Sequence, residues 1–392
     1  MRRTELLQEI RKMRFEEVFT RWTEKRLTQE EAAAILGVCS RSFRRYIERY
    51  ESYGKEGLQD KRLSQACHRR APVDEVMALV SRYESRYQGW SVKHFYSWYR
   101  REGGRRSYGW VKNTLQAKGS VKKASKRGAH RKRRPRAPLE GMMLHQDGST
   151  HEWVAGKKWD LVITMDDANS RHYSMFFMEE EGTSSSFRGV RDVIVNKGLF
   201  CSLYTDRASH YWITPKTGGK PSTTQLTQFG RAMGQLGIEM IAAYSPQARG
   251  RSERAFGTHQ QRLPRELKFH GITTMEAANR YLAELYMPAF NSEFMQPALE
   301  KGSAFVKWAG RNLDDILCEQ HERTVRADNC VLFNGMALQI PPNRYRCHYV
   351  RAKVRVHRYI DGSLAIFHGP RKLADYDAQG NYKYKGKKAL TA

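Results

Sequence analysis

The segment Met142-Met143-Leu144-His145-Gln146-Asp147 predicts a β-strand that ends on a carboxylate. Apolar runs at 159–165 and 172–178 predict two further strands. The elements that follow are a helix at about 184–197, a strand at 200–205, a helix through 229–236, a short strand at 238–242 and a long helix from about 249. This order predicts a mixed sheet flanked by helices, which is an α/β domain.

Three carboxylates stand at the boundaries of these elements. Asp147 ends the first predicted strand, Asp206 follows the strand at 200–205, and Glu253 lies in the first turn of the long helix. Two divalent metals about 3.5–4 Å apart can neutralise a phosphodiester, activate the nucleophile and hold the leaving oxygen. Mg²⁺ prefers oxygen ligands and needs only a few protein carboxylates. The three acids therefore predict a two-metal phosphoryl-transfer site.

On chemistry alone this choice of acids is weak, because the chain has 41 acidic residues and offers many other triples. Asp160, Asp166 and Asp167 compete for the first position. We predict instead that they cap the second strand and the turn before the third. Wide spacing also means that only tertiary folding can assemble the site.

Composition indicates the partner. The 392 residues suffice for two to four domains, and the net charge of +28 with a pI of about 10.0 suits a polyanion such as DNA. No long apolar run or signal peptide is evident, so we expect no membrane contact and a cytoplasmic, nucleoid-associated protein.

Residues 1–60 predict a helix-turn-helix domain. Thr28 and Glu31 form a capping box, Gly37 ends a short helix, and Ser40 caps a second helix. Arginines at the start of that second helix suit phosphate and base contacts in the major groove. The alternative is an αα-hairpin with a solvated arginine face.

The remaining segments complete a multidomain prediction. It assigns 61–118 to a second helical, helix-turn-helix-like DNA-binding domain, 119–138 to a basic linker, 139–320 to the α/β core with a helical extension, 321–375 to a small β-barrel and 376–392 to a basic tail. The linker has no acidic residue, so it either contacts DNA or is a solvated spacer. The barrel rests on two hairpin signals, Asn334-Gly335 and Asp361-Gly362.

Side chains predicted to contact DNA occur in four segments. They are Arg41, Ser42, Arg44 and Arg45 in the second helix, Lys112 and Asn113 in the second helical unit, Arg131, Lys132, Arg133 and Arg134 in the linker, and Gln247, Arg249, Arg251 and Arg254 around Glu253. Near the carboxylates, charge balance is the alternative role for the last group.

The residues around the three acids resemble the DDE integrase core. The matching segments are Asp147-Gly148-Ser149 with His151 and Trp153, Asp166-Asp167-Ala168, Thr205-Asp206, and Ser245-Pro246-Gln247-Ala248-Arg249-Gly250-Arg251-Ser252-Glu253-Arg254 with its continuation at 260–265. The chain is thus similar to insertion-sequence transposases of the retroviral-integrase superfamily, most of all to the ISNCY branch. The resemblance implies an RNase H-like core, catalytic and metal-binding roles for Asp147, Asp206 and Glu253, and two Mg²⁺ (or Mn²⁺) ions. The interval from Asp206 to Glu253 is longer than in retroviral integrases, which indicates an insertion near 213–224.

Three functions fit these observations. The first is a DNA transposase that binds terminal repeats, frees 3′-OH groups and joins them to target DNA as a dimer or larger assembly. The second is an RNase H-like DNA endonuclease without strand transfer, and the third is a catalytically silent, sequence-specific DNA-binding regulator.

Overall fold

The computed structural model describes residues 3–60, 71–123, 135–214, 219–222, 224–243, 246–310, 312–343 and 346–383; for residues 3–5 and 246–249 it describes the backbone alone. The chain divides into two compact units, Met1–Arg86 and Tyr87–Ala392.

Helices build the first unit. Its described part contains α1 (Arg3–Thr23), α2 (Gln29–Leu36), α3 (Ser40–Tyr53), a 3₁₀ turn (Gly54–Leu58) and α4 (Val73–Arg86). Apolar side chains of the first three helices form a shared core of Phe15, Val18, Ala32, Ala33, Phe43 and Ile47. Because α3 buries this face, its arginines are left on the outside.

The ends of α2 agree with the predicted capping signals. The Thr28 hydroxyl accepts the Glu31 N–H, the Glu31 carboxylate accepts the Thr28 N–H, and Gly37 ends the helix at a φ of +69°. The predicted cap of α3 is wrong by one position. Cys39 is the N-cap and makes no side-chain capping bond, so Ser40 is the first helical residue.

Two further helices, α5 (Val92–Arg101) and α6 (Tyr108–Ala117), belong to the second unit. Ser97 Oγ of α5 donates to Glu293 at 2.6 Å, and His94 contacts Glu266 at 2.6 Å, which fastens α5 to the helices of the core. The boundary between the units therefore falls inside the segment 61–118. The DNA-binding role of that segment stays a prediction.

A five-stranded mixed sheet forms the centre of the second unit. Its strands are β1 (Met143–Val154), β2 (Lys157–Asp166), β3 (His172–Met178), β4 (Ser202–Thr205) and β5 (Glu239–Ala242). The spatial order is β3-β2-β1-β4-β5, with antiparallel pairing among the first three strands and parallel pairing from β1 through β4 to β5. The predicted order of elements is confirmed. However, β1 is longer than predicted, so Asp147 lies within a strand and not at its end.

Helices cover both faces of this sheet. They are α7 (Thr183–Asn196), α8 (Gln228–Leu236), α9 (Pro246–Phe269), α10 (Met275–Tyr281) and α11 (Met287–Phe294), with a π-helical turn (Leu282–Tyr286) before the last. One apolar cluster joins α7 and α8 to one face, and a second joins α9, α10 and α11 to the other. The predicted mixed α/β core is thereby confirmed.

The C-terminal region is an open sheet with a separate hairpin. It contains β6 (Glu319–Thr324), β7 (Cys330–Phe333), β8 (Met336–Gln339), β9 (Lys353–Arg358), β10 (Leu364–His368) and β11 (Arg371–Tyr376). Four of these pair in the order β11-β10-β9-β6, while β7 and β8 pair with each other. The described strands share an apolar core but form no closed barrel, so the predicted barrel is not confirmed. Both hairpin signals are correct: Asn334 and Gly335 take φ of +48° and +79° between β7 and β8, and Asp361-Gly362 joins β9 to β10.

Candidate active site

Asp147 lies on the face of β1 that is turned toward α9. Gln260 of α9 donates to Ser149 Oγ at 3.0 Å. Gln146 points to the opposite face, where its amide donates to Thr164 Oγ1 at 3.0 Å and to the Ser186 carbonyl of α7 at 3.2 Å. Because successive strand residues alternate between faces, Asp147 shares the α9 face with Ser149.

Asp147 on β1 and Asp206, which directly follows β4, lie level with each other because β1 and β4 are parallel neighbours. The pairing of β1 with β4 ends where His145 stands opposite Tyr204, with 5.0 Å between their ring centres, and each aspartate follows two residues later. Adjacent strands run about 4.8 Å apart, so the two carboxylates start from neighbouring backbone positions. Asp147 is 8% exposed and Asp206 is half-buried.

Both aspartates are braced by the backbone that follows them. The Gly148 N–H donates to Asp147 Oδ1 at 3.1 Å, and the Ala208 N–H donates to Asp206 Oδ1 at 2.9 Å. These short-range bonds help to orient each carboxylate group. Local sequence around each acid thus contributes to its orientation.

Glu253 lies exposed on α9, which begins at Pro246. The helix starts earlier than predicted, so Glu253 belongs to its second turn. Glu253 and Gln260 are seven positions apart and share one helical face. Near its start α9 is attached through Arg251 to Asp167, which also contacts His145 of β1, and further on it is attached through Gln260 to Ser149.

These two attachments show that α9 runs alongside β1 in the same direction. Arg251 and Gln260 are about 13.5 Å apart along a helix, and His145 and Ser149 are about 13.6 Å apart along a strand. Glu253 lies between the two attachments on the helix, and Asp147 lies between them on the strand.

No closed metal-binding set is present among the residues that the structure describes: no group of three or more His, Cys, Asp or Glu side chains is close enough to hold an ion. Asp147 and Asp206 are neighbours, and Glu253 is on the covering helix but does not join them. The donor chemistry still fits, since carboxylate oxygens are the ligands that Mg²⁺ prefers.

The competing acids make structural contacts. Asp160 Oδ2 accepts the Glu181 N–H at 2.7 Å, and Asp166 accepts the N–H groups of Gly141 and Ala168 at 2.8 and 2.7 Å. Burial raises the pKa of Asp166, and these backbone donors lower it only in part. Asp166 and Asp167 are both fully buried, so neither is open to a substrate.

Glu181 lies near the site but was not identified from the sequence. A Cβ atom added to Gly148 would stand 2.1 Å from Glu181 Oε2, so the carboxylate rests against the glycine that follows Asp147. Glu181 also lies 3.6 Å from His210 Nε2. No local signal could reveal this contact, because Glu181 precedes α7 on the other side of the sheet.

The predicted DNA contacts fall into three groups. Arg41, Arg44 and Arg45 are exposed on α3 with Ser42 half-buried, and Lys112, Asn113 and Arg254 are exposed elsewhere. Arg251 is engaged by Asp167 and by the Pro135 carbonyl. The residues Arg131, Lys132, Arg133 and Arg134 and the side chains of Gln247 and Arg249 lie outside the described part of the chain, as does part of the segment 213–224.

Comparisons with known proteins agree with this organisation. A family model described as "Helix-turn-helix domain" matches residues 16–66. The chain is 26% identical over 360 residues to "Putative transposase y4bF" of Sinorhizobium fredii (strain NBRC 101917 / NGR234), with 89% of this chain and 77% of the relative aligned. It is 29% identical over 237 residues to the transposase for insertion sequence IS1202 of Streptococcus pneumoniae, with 59% of this chain and half of that relative aligned.

These matches confirm that the chain is related to transposases and carries a helix-turn-helix domain.

Among solved structures, the intasome of simian T-cell lymphotropic virus with PP2A regulatory subunit B56 gamma aligns over 71% of this chain and 91% of its own, at 13% identity and a TM-score of 0.33. The HTLV-2 integrase catalytic core domain in complex with magnesium (dimeric form) aligns over 38% of this chain and 89% of its own, at 14% identity and a TM-score of 0.29.

Within the described ranges, no helix is both long and apolar enough to cross a lipid bilayer.

Proposed function

We propose that the chain is a DNA transposase with an RNase H-like DDE core, in which Asp147, Asp206 and Glu253 are the catalytic carboxylates. One observation carries the proposal. Asp147 on β1 and Asp206, which directly follows the parallel strand β4, occupy level positions, and the helix bearing Glu253 covers the face of β1 that carries Asp147. The relationship to transposases supplies the reaction class.

Two Mg²⁺ (or Mn²⁺) ions would be held by the carboxylates of Asp147, Asp206 and Glu253. When bound, such ions neutralise the phosphate and lower the pKa of the attacking oxygen. The protein would hold one carboxylate within a strand, one just after a strand and one on a helix, so that the scissile phosphate is positioned among them.

The reaction would proceed in two steps, a hydrolysis and a transesterification. In the first, a water oxygen bonds to the phosphorus at the element end and the bridging P–O3′ bond breaks, which frees a 3′-OH. In the second, that 3′ oxygen bonds to a target phosphorus while the target P–O3′ bond breaks, and the displaced strand end takes the proton. No oxidant or reductant is needed.

The flanking parts would deliver DNA to this site. The helix-turn-helix domain would bind the terminal repeats through the exposed side of α3, since Phe43 and Ile47 occupy its buried side. Joining two element ends requires two active sites, so we expect a dimer or larger assembly, located at the nucleoid. The C-terminal sheet would contact DNA or a second subunit.

One assay tests the proposal. Purified full-length protein is incubated with Mg²⁺, a target plasmid and a labelled duplex that carries the terminal repeats flanking its coding region. We expect joined products, and we expect Asp147→Asn to abolish cleavage and joining while leaving DNA binding intact. Nicking without joining supports the endonuclease, binding alone supports the regulator, and retained cleavage in Asp147→Asn refutes the assignment of the site.

A further inference from the structure

Asp167 is a fully buried carboxylate just after β2 that accepts hydrogen bonds from three parts of the chain. His145 Nε2 lies 2.7 Å from Asp167 Oδ1, the Ala137 N–H donates to Oδ2 at 2.7 Å, and the Arg251 guanidinium donates to Oδ1. A buried carboxylate is stable only when such donors surround it.

The carboxylate of Asp167 is held in its charged form. Burial by itself raises the pKa of Asp167, but the hydrogen bonds from His145 and Ala137 and the charge of Arg251 outweigh it and hold the pKa well below its usual range. Charge-assisted bonds of this kind are stronger than neutral ones. Asp167 is therefore a strong attachment point for Arg251.

Each of the two side-chain partners of Asp167 stands two residues before a candidate catalytic acid in the sequence. His145 precedes Asp147 by two residues on β1, and Arg251 precedes Glu253 by two residues on α9. A single carboxylate therefore connects the strand that carries one acid with the helix turn that carries another.

The backbone around Asp167 is itself fixed. The Asp167 N–H donates to the Met143 carbonyl of β1 at 3.0 Å, and Arg136 Nη1 donates to the Asp167 carbonyl at 2.9 Å and to Ser170 Oγ at 2.8 Å. Arg251 also donates to the Pro135 carbonyl at 3.0 Å. Asp167 can therefore transmit the position of the sheet to the start of α9.

We propose that Asp167 is a positioning residue for the metal-dependent reaction, because it fixes the second turn of α9, and with it Glu253, against the strand that carries Asp147. This inference rests on the proposed function. Loss of the attachment frees the start of α9, so Glu253 spends less time within reach of an ion, and more metal is needed for the same rate.

The test compares four variants of the full-length protein. Asp167→Asn keeps the shape but removes the charge, Arg251→Gln removes the partner, and Arg251→Lys keeps the charge of the partner. Asp192→Asn is the control, because Asp192 is a half-buried aspartate that also accepts from a neighbouring side chain, Ser174 Oγ at 2.8 Å, but it lies on α7 across the sheet from α9.

Two measurements are made on each variant. The first is hydrogen exchange of the backbone amides at 250–254 without metal, together with the thermal midpoint. The second is the Mn²⁺ concentration that gives half-maximal strand joining. For Asp167→Asn and Arg251→Gln we expect amide exchange at least tenfold faster and a metal requirement at least tenfold higher, with partial recovery in Arg251→Lys and no local change in Asp192→Asn.

The outcomes separate this inference from the proposed function. If Asp147→Asn keeps its activity, the proposed function fails whatever Asp167 does. If Asp147→Asn is inactive while Asp167→Asn and Arg251→Gln keep normal exchange and metal dependence, the positioning role is wrong. A lower thermal midpoint with exchange accelerated equally throughout the core also overturns it. Should Asp167→Asn fail to fold, the two Arg251 variants carry the same test.

Discussion

Removal of the exposed arginines of α3 should weaken DNA binding and make the remaining binding less dependent on salt. The perturbation is the triple change of Arg41, Arg44 and Arg45 to alanine. All three side chains are exposed, whereas Phe43 and Ile47 hold the helix in its core at 0% and 8% exposure. Alanine has a high helix propensity, so we expect α3 to keep its fold.

The magnitude follows from counterion release. Each phosphate contact contributes about −0.9 to the slope of log K against log salt, so three lost contacts reduce the slope by up to about 2.7. Between 50 and 200 mM salt, the affinity of the unchanged protein should therefore fall about 40-fold more than that of the variant. If only one of the three arginines contacts a phosphate, this difference in affinity loss would be about 3.5-fold.

The assay is fluorescence anisotropy with the labelled terminal-repeat duplex at several salt concentrations. The control replaces Arg11, Arg21 and Arg26, which are exposed on α1 and the turn after it and change the net charge equally. Circular dichroism confirms that both triple variants are helical. Equal slopes for the α3 variant and the unchanged protein, or an equal loss in the control, would refute α3 as the DNA-binding surface.

Two further predictions concern the stability of the core. A Cβ atom on Gly189 would lie 2.3 Å from Gln146 Nε2 and 2.8 Å from Thr164 Oγ1, so Gly189→Ala should lower the free energy of unfolding by about 1–3 kcal/mol in urea titrations, and an unchanged midpoint would contradict this close packing. His172 and His259 lie 3.1 Å apart at Nε2, and burial lowers both pKa values, that of His172 from 6.5 to about 4. As the pH falls, the unfolded chain binds these protons before the folded chain does. The free energy of unfolding is therefore unaffected by protonation of the two histidines above pH 6.5 and declines as the pH falls toward 4, by up to about 1.4 kcal/mol per pH unit for each group. His259→Gln should show a shallower decline in unfolding experiments from pH 7 to 4, and an equal slope would contradict it.

Signals that act over a few residues predicted structure well in this chain. The capping box of Thr28 and Glu31, the left-handed Gly37 and the turn at Asn334-Gly335 were all found where the sequence indicated them. Each depends on backbone groups within four residues, so no knowledge of tertiary packing is needed. The misplaced cap at Ser40 shows the limit, because a neighbouring residue can take the same position.

Long-range pairing was not predictable in the same way. Both C-terminal hairpins formed, but β6 pairs with β9, with Glu319 opposite Arg358, and among the described strands β7 and β8 pair only with each other. Hairpin signals specify which strands are neighbours across a turn, whereas closure of a barrel depends on pairing between distant edge strands. The sequence therefore indicated the strands but not the open arrangement of the sheet.

The length of β1 changes the physical picture of the candidate site. The sequence suggested that Asp147 terminates its strand, yet β1 continues to Val154 and Asp147 pairs with Ile163 of β2. The strand that stops is β4, at Thr205, one residue before Asp206. Asp147 is thus paired with β2 on one side, while on the other side the pairing with β4 has ended before it. Under the proposed function, an ion would thus take one carboxylate from within a paired strand and one from just beyond the end of a strand, each of them braced by a backbone N–H that follows it.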